Sequence, residues 1–307
     1  MKKLAQICST FLTLLLALGL QAEDAAPSPT DQPAPDLKKL CESRLAKVPG
    51  AAQFKQVEKV CEDVLQMPAC KTVKGEPIFH WQKDGDPKEK SSQRILVLSL
   101  IHGDEPESAS VSAAWMERLM AIQPRNTWRV IPIMNPDSWD LKTRTNANGV
   151  DVNRNFPSKD WDELAIKFWK EKHGANERRY PGKIAGSEPE TKCAIQQIED
   201  FKPDFIISIH TPLGVLDFDG PKVPAPKFGP LPWVALGNYP GSLGRYMWKD
   251  RSVPVLTVEL KNDKGTTQSL EQFDKLQDIT GTVAIQAEKI LKKEKPKAQN
   301  ESATKTN

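Results

Sequence analysis

The stretch RILVLSLIHGDE, residues 94–105, decides the fold. From Arg94 to Leu100 it is a short, nearly unbroken apolar run. Such a run marks a strand covered on both faces, as in a parallel sheet. Polar groups then arrive abruptly at His102, Asp104 and Glu105. The whole reads as a buried strand that delivers chemistry at its carboxyl end.

Working outward, residues 107–122 place Val111, Trp115 and Leu119 four apart, the spacing of a helix face. Thr127–Ile133 (TWRVIPI), Phe205–Ile209 (FIISI) and Val253–Leu260 (VPVLTVEL) read as three more strands, and Thr266–Leu291 as a long closing helix. Strands alternating with helices imply an α/β/α sandwich with a mixed, mainly parallel sheet. In such sheets ligands bind beyond the carboxyl ends of the strands. His102, His210 and Glu259 all fall at or near those ends.

His102 and Glu105 are three residues apart, with Gly103 between them to permit a tight turn. His210, in the sequence SIHT, is the natural third member. Zinc accepts imidazole nitrogen and carboxylate oxygen, and catalytic zinc sites keep three protein ligands and one open position. A histidine and a glutamate at this spacing recur by chance on surface helices. What singles out this pair is the convergence of strand ends. Asp104 is a candidate to orient His102 from behind. The other two histidines, His80 and His173, lack such neighbours and read as structural or surface residues.

Glu259 lies within the apolar TVEL. A carboxylate in an apolar strand is costly unless it has a task. Over a metal it would serve as general base and acid; the competing reading is a solvated glutamate on an edge strand. Residues 144–157 (RTNANGVDVNRNFP) form a loop dense in Asn and Gly. Arg154 can grip a carboxylate bidentately with Asn153 as a further donor, and Arg144 can stabilise an oxyanion. The plainer alternative is a loop held by Asx turns with solvated arginines. In SEPET (187–191), Ser187 and Glu190 have the spacing of a helix capping box.

Together, HGDE (102–105), Arg144, GVDVNRNFP (149–157), SEPET, SIH (208–210) and TVEL (257–260) resemble, in order and rough spacing, the zinc metallocarboxypeptidases over about residues 70–290. The resemblance implies one Zn2+ held by His102, Glu105 and His210, with Arg144 polarising the carbonyl. It also implies Asn153 and Arg154 on the substrate carboxylate and Glu259 as base and acid. HTPLGVLDFDGP (210–221) and the following Tyr239-Pro-Gly-Ser242 resemble the cell-wall amidase branch of that family. That branch cleaves the γ-D-glutamyl–meso-diaminopimelate bond of peptidoglycan stem peptides. On this likeness Tyr239 is the mobile tyrosine. Asp217 or Asp219 would pair with the free amine of the substrate; each is equally readable as a turn residue. The alternatives are a general carboxypeptidase removing C-terminal residues, and a wall-binding protein without catalysis.

The rest of the chain sets the context. It has 307 residues, 43 Lys plus Arg against 40 Asp plus Glu, and a net charge of +3, without the basic surplus of a nucleic-acid binder. Residues 1–22 read as a signal peptide: Lys2 and Lys3, then an apolar run from Phe11 to Leu20, then Ala22. That run is too short for a stable membrane span and points to a periplasmic or secreted protein. Residues 23–37 read as a linker, 38–68 as a small helical segment, 69–292 as the catalytic domain and 293–307 as a disordered tail. Cys41, Cys61, Cys70 and Cys193 allow three pairings; export favours disulfides, with Cys41–Cys61 local and Cys70–Cys193 left over, and free thiols are the alternative.

Overall fold

The computed structural model describes residues 36–225, 229, 231–261 and 269–304, with side chains to residue 293. The expected signal peptide and most of the expected linker lie outside the described residues. Among the described residues, seven strands form one sheet: β1 Leu65–Lys71, β2 Pro77–Lys83, β3 Arg94–Ser99, β4 Thr127–Ile131, β5 Phe205–His210, β6 Leu213–Asp219 and β7 Val255–Lys261. Their spatial order is β1-β2-β4-β3-β5-β7-β6. The inner strands β4, β3, β5 and β7 run parallel, whereas β2 on one side and β6 on the other run against them, and β1 pairs antiparallel with β2 at the margin.

Strand periodicity divides the core into two layers. On β3, Ile95 and Val97 face one layer, Leu96 and Leu98 the other. The first layer is closed by α3 Glu107–Met120 and α7 Leu270–Thr304. Val111, Trp115 and Leu119 are all buried there, and Trp115 Nε1 donates to the Phe273 carbonyl at 2.8 Å, tying the two helices together. The second layer is closed largely by α6 Pro189–Phe201.

On this second face β5 and β7 change character along their length. Ile206 and Val255 are core residues, but the next residues on that face are Ser208 and His210 on β5, and Thr257 and Glu259 on β7. The apolar pattern ends where the helical layer ends, and the polar groups line an opening. Two shorter helices, α4 Pro136–Leu141 and α5 Trp161–His173, flank that opening.

The N-terminal segment is helical, as expected, with α1 Leu37–Leu45 and α2 Val57–Glu62 clamped by the disulfide Cys41–Cys61. Leu37, assigned to the linker on composition, already starts α1, because Asp36 caps it by accepting from Lys39 N at 3.1 Å. Val64 and Leu65 leave the helical pattern, and Leu65 opens β1. Arg44 pins the segment to the domain: its guanidinium bonds Glu76 at 2.8 Å and Asp140 at 2.5 Å. Cys70–Cys193 joins β1 to α6. Both expected disulfides are therefore present. At the other end α7 continues to Thr304, past the point where the composition suggested an unstructured tail.

Candidate metal centre and active site

The site begins at the exit of β3. Leu100 takes a left-handed conformation, φ 50°, with its N–H donating to Ser108 Oγ at 2.9 Å. A non-glycine residue rarely adopts this conformation. Here a buried position and a fixed hydrogen bond hold it. Gly103 follows, and a Cβ there would fall 1.9 Å from the Ser138 carbonyl carbon of α4. Only glycine lets the chain pass so close. The turn closes when Glu105 N donates to the His102 carbonyl at 3.2 Å, which brings the Glu105 carboxylate beside the His102 ring.

Glu105 then links both histidines. Its Oε1 lies 2.9 Å from His102 Nδ1, and its Oε2 lies 2.9 Å from His210 Nδ1. The ligand atoms of the three residues lie within 4.8 Å of one another, and all three side chains are buried. The second nitrogen of each ring is already engaged: His102 Nε2 with Asp151 Oδ1 at 3.1 Å, and His210 Nε2 with Ser208 Oγ at 2.9 Å. Both rings therefore direct Nδ1 to the common point, the arrangement that fixes a metal-binding tautomer. Two imidazoles and a carboxylate form a donor set suited to zinc.

The electrostatics agree. Burial and the Arg144 charge press His102 toward neutrality, but the Glu105 and Asp151 carboxylates outweigh them and raise its pKa. Burial opposes charge on Glu105, yet the two histidines hold its carboxyl well below the usual range. Glu105 is thus ionised, the form in which a carboxylate ligates a metal, and a divalent ion would displace the proton that its field favours on His102.

Asp151 is the residue behind His102, and Asp104 is not. Asp104 turns away and pairs with Arg178 at 2.7 Å. Fully buried Asp151 accepts from His102 Nε2, from Asn153 N at 3.0 Å and from Arg144 Nε at 3.0 Å. Burial resists its charge, but Arg144 and His102 keep it ionised. Arg144 also reaches Glu105 Oε1, at 3.3 Å.

Arg154 ends a 3-10 turn, Val152–Arg154, whose cap is again Asp151. The following wall is docked closely: Asn153 Oδ1 accepts from Leu243 N at 2.9 Å, and a Cβ on Gly241 (φ 78°) would lie 1.9 Å from the Arg154 carbonyl oxygen. The buried Arg154 guanidinium packs against the Tyr239 ring, 4.6 Å from its centroid, and its Nε has no hydrogen-bond partner among the described residues. Burial, with repulsion from Arg144 and Arg179, lowers its pKa to about 10 despite Asp151. Tyr239 is packed by Phe168 and His173 at 5.5 and 5.8 Å, so His173 supports a residue of the pocket wall.

Register places the remaining groups. His210 pairs with Glu259 across β5 and β7, and Glu259 pairs with Val215 on β6. One step along, Ser208, Thr257 and Asp217 form the neighbouring row. Asp217 and Asp219 thus belong to strand β6, not to a turn, and both face the pocket. Burial raises both carboxyls, that of Asp219 to about 6 with Asp217 adding to the rise. All of His102, Glu105, His210, Arg144, Asn153, Arg154, Asp217, Asp219, Tyr239 and Glu259 line one pocket of about 230 Å3. Arg179 lines it too, and its placement in the polar ERR run gave no periodic or motif signal.

The capping box does not form. Ser187 Oγ donates to Glu188 instead, at 2.6 Å, and Glu190 is drawn inward to accept from Val73 N and Asn146 Nδ2. His80 is structural: buried, hydrogen-bonded to Gln197, with burial lowering its pKa to about 4.

A buried His–Glu–His cluster at the carboxyl edge of an α/β sheet, with a carboxylate on the next strand and guanidiniums opposite, defines a metal-dependent hydrolase of peptide bonds. The zinc carboxypeptidase family profile matches residues 54–218. The chain belongs to the zinc carboxypeptidase family. Its curated relatives include murein peptide amidase A of Vibrio campbellii, 34% identical over 197 residues, covering 62% of this chain and 77% of the relative. The Escherichia coli murein peptide amidase A is 36% identical over 132 residues, 41% of this chain and 52% of that one, so the matched part spans about half of that protein. Among solved structures, murein-tripeptide amidase from Escherichia coli O157 superposes with a TM-score of 0.50 at 24% identity, over 71% of this chain and 91% of that one. Bovine thrombin-activatable fibrinolysis inhibitor gives 0.58 at 17%, over 78% and 94%, a likeness of fold.

Proposed function

We propose that this protein is a zinc-dependent amidase of peptidoglycan stem peptides, cutting between the γ-carbonyl of D-glutamate and the amine of meso-diaminopimelate. One observation carries the reading. The pocket beside the His–Glu–His cluster holds a buried guanidinium, Arg154, on one wall and two carboxylates, Asp217 and Asp219, on another. A leaving fragment that bears both a carboxylate and a free ammonium satisfies both walls. The names and identities of the amidase relatives support the same reading.

His102 Nδ1, His210 Nδ1 and the Glu105 carboxylate would hold one Zn2+, which when bound lowers the pKa of water and polarises a carbonyl. Asp151 keeps His102 in the ligating tautomer. Glu259, adjacent in register to His210, takes the proton of the attacking water and gives it to the leaving amine. Arg144, held by Asp151 and Glu105, offers its remaining N–H groups to the oxyanion. Arg154 binds the leaving fragment's carboxylate with Asn153 beside it, and Tyr239 closes over that anion site. Asp219 or Asp217 receives the distal ammonium.

The two disulfides and the signal-like leader support a periplasmic or secreted location. Among the described residues no helix is long and apolar enough to cross a membrane. The test is mass spectrometry after incubation with L-Ala-γ-D-Glu–meso-diaminopimelate. Release of L-Ala-D-Glu and free diaminopimelate is expected; an intact tripeptide, alongside release of C-terminal residues from ordinary L-peptides, overturns the reading in favour of a general carboxypeptidase.

A further inference from the structure

Arg178 and Arg179 are neighbours with opposite fates. They end a 3-10 turn, Glu177–Arg179, capped by Asn176, whose Oδ1 accepts from Arg178 N at 2.9 Å. The turn sends Arg178 outward to Asp104, at 2.7 Å. Arg179 goes the other way, is half-buried and lines the pocket. Among the described residues its guanidinium has no hydrogen-bond or ion-pair partner. Its charge is felt at Arg154 and at His173, both of which pack on Tyr239.

A half-buried guanidinium that acts on a buried one and pairs with no carboxylate among the described residues is repulsive on its own. Asp151, whose charge acts on Arg154 and His173, is already committed to His102, Arg144 and Asn153. No carboxylate among the described residues completes this arrangement, which leaves Arg179 open to an acidic group on a ligand. Arg154 accounts for one carboxylate. Arg179, which lines the same pocket and acts on Arg154, is free to take a second.

We propose that Arg179 is a specificity residue that binds a second carboxylate on the leaving fragment, so that the pocket selects a diamino dicarboxylate over a diamino monocarboxylate. This rests on the amidase reading for its substrate class. Lysine is the informative comparison. It shares the α-carboxylate and the distal ammonium with meso-diaminopimelate and lacks only the second carboxylate. A charge-assisted hydrogen bond to a carboxylate in a partly desolvated site is worth about ten- to a hundredfold in affinity.

The experiment is calorimetric titration of the zinc-loaded protein with free meso-diaminopimelate and with L-lysine, for the wild type, Arg179→Gln and Arg179→Lys. The wild type is expected to prefer diaminopimelate by about ten- to a hundredfold. Arg179→Gln brings that ratio close to one, and Arg179→Lys leaves part of it, because an ammonium keeps the charge without the fork. A wild-type ratio near one, no binding of either compound, or a ratio unchanged in Arg179→Gln overturns the proposal. Cleavage of the tripeptide is scored separately. A collapsed ratio with no hydrolysis sinks the amidase reading and leaves Arg179 as a ligand residue.

Discussion

Replacing Asp151 with asparagine tests how the site is organised. The carboxylate is fully buried and serves three donors at once: His102 Nε2 at 3.1 Å, Arg144 Nε at 3.0 Å and Asn153 N at 3.0 Å. An amide has one oxygen and one NH2 group. If its oxygen faces His102, the NH2 meets the Arg144 N–H and repels it. If its oxygen faces Arg144, the NH2 donates to His102 Nε2, which moves the ring proton to Nδ1 and blocks the metal-binding nitrogen. Loss of such an outer partner lowers metal affinity by about 10- to 100-fold. Breaking a buried charge pair also lowers the stability of the fold, by about 3–5 kcal/mol. Competition with a chromophoric chelator measures the first effect, and urea unfolding of the metal-free protein measures the second. Zinc affinity within about twofold of wild type, with an unchanged unfolding midpoint, would refute the assignment of Asp151 as the hub.

Three further outcomes follow from the geometry. Glu259→Gln keeps its zinc by elemental analysis but loses about 100- to 10,000-fold in turnover, and a near-normal rate removes Glu259 as the base. Asp219 has a folded pKa raised to about 6, above its ordinary value, so its burial favours the protonated form. Relative to Asp219→Asn, wild-type stability is therefore full below the unfolded pKa near 4 and declines as pH rises through 6. Over the same window KM for an ammonium-bearing substrate falls as Asp219 ionises. Unfolding curves and pH–KM profiles that match in the two proteins contradict this. Replacing Cys70 and Cys193 together by serine costs about 2–5 kcal/mol in denaturant unfolding, because the closed loop spans 123 residues.

Much of this site is readable from residues alone, and the reasons are physical. An apolar run that stops at a histidine is hard to produce except at a strand's carboxyl end, so His102, His210 and Glu259 were legible as one edge. What stayed hidden depended on partners distant in sequence. Strand β6 was obscured because Gly214, Asp217 and Asp219 have turn chemistry. Its strand character comes from pairing with β7. The hairpin of β1 and β2 was missed for the same reason, Pro68 and the polar Lys71–Glu76 stretch masking a marginal pair held to the sheet by β4 and to α6 by Cys70–Cys193. Asp104 looked like the orienting carboxylate because it is next to His102 but one. Asp151 does that work from 49 residues away. The capping box failed because tertiary donors, Val73 N and Asn146 Nδ2, compete for Glu190. Arg179 carries no sequence signal, since its role is set by which way a single turn points it.

His102, Glu105 and His210 would hold the metal on which hydrolysis is expected to depend. The most direct measurement is elemental analysis of the purified protein, joined to a tripeptide cleavage assay before chelation, after chelation and after zinc is restored. One zinc per chain is expected, with activity lost on its removal, regained on its return, and absent throughout in His102→Ala. Protein that is free of metal and still cleaves the tripeptide contradicts the account.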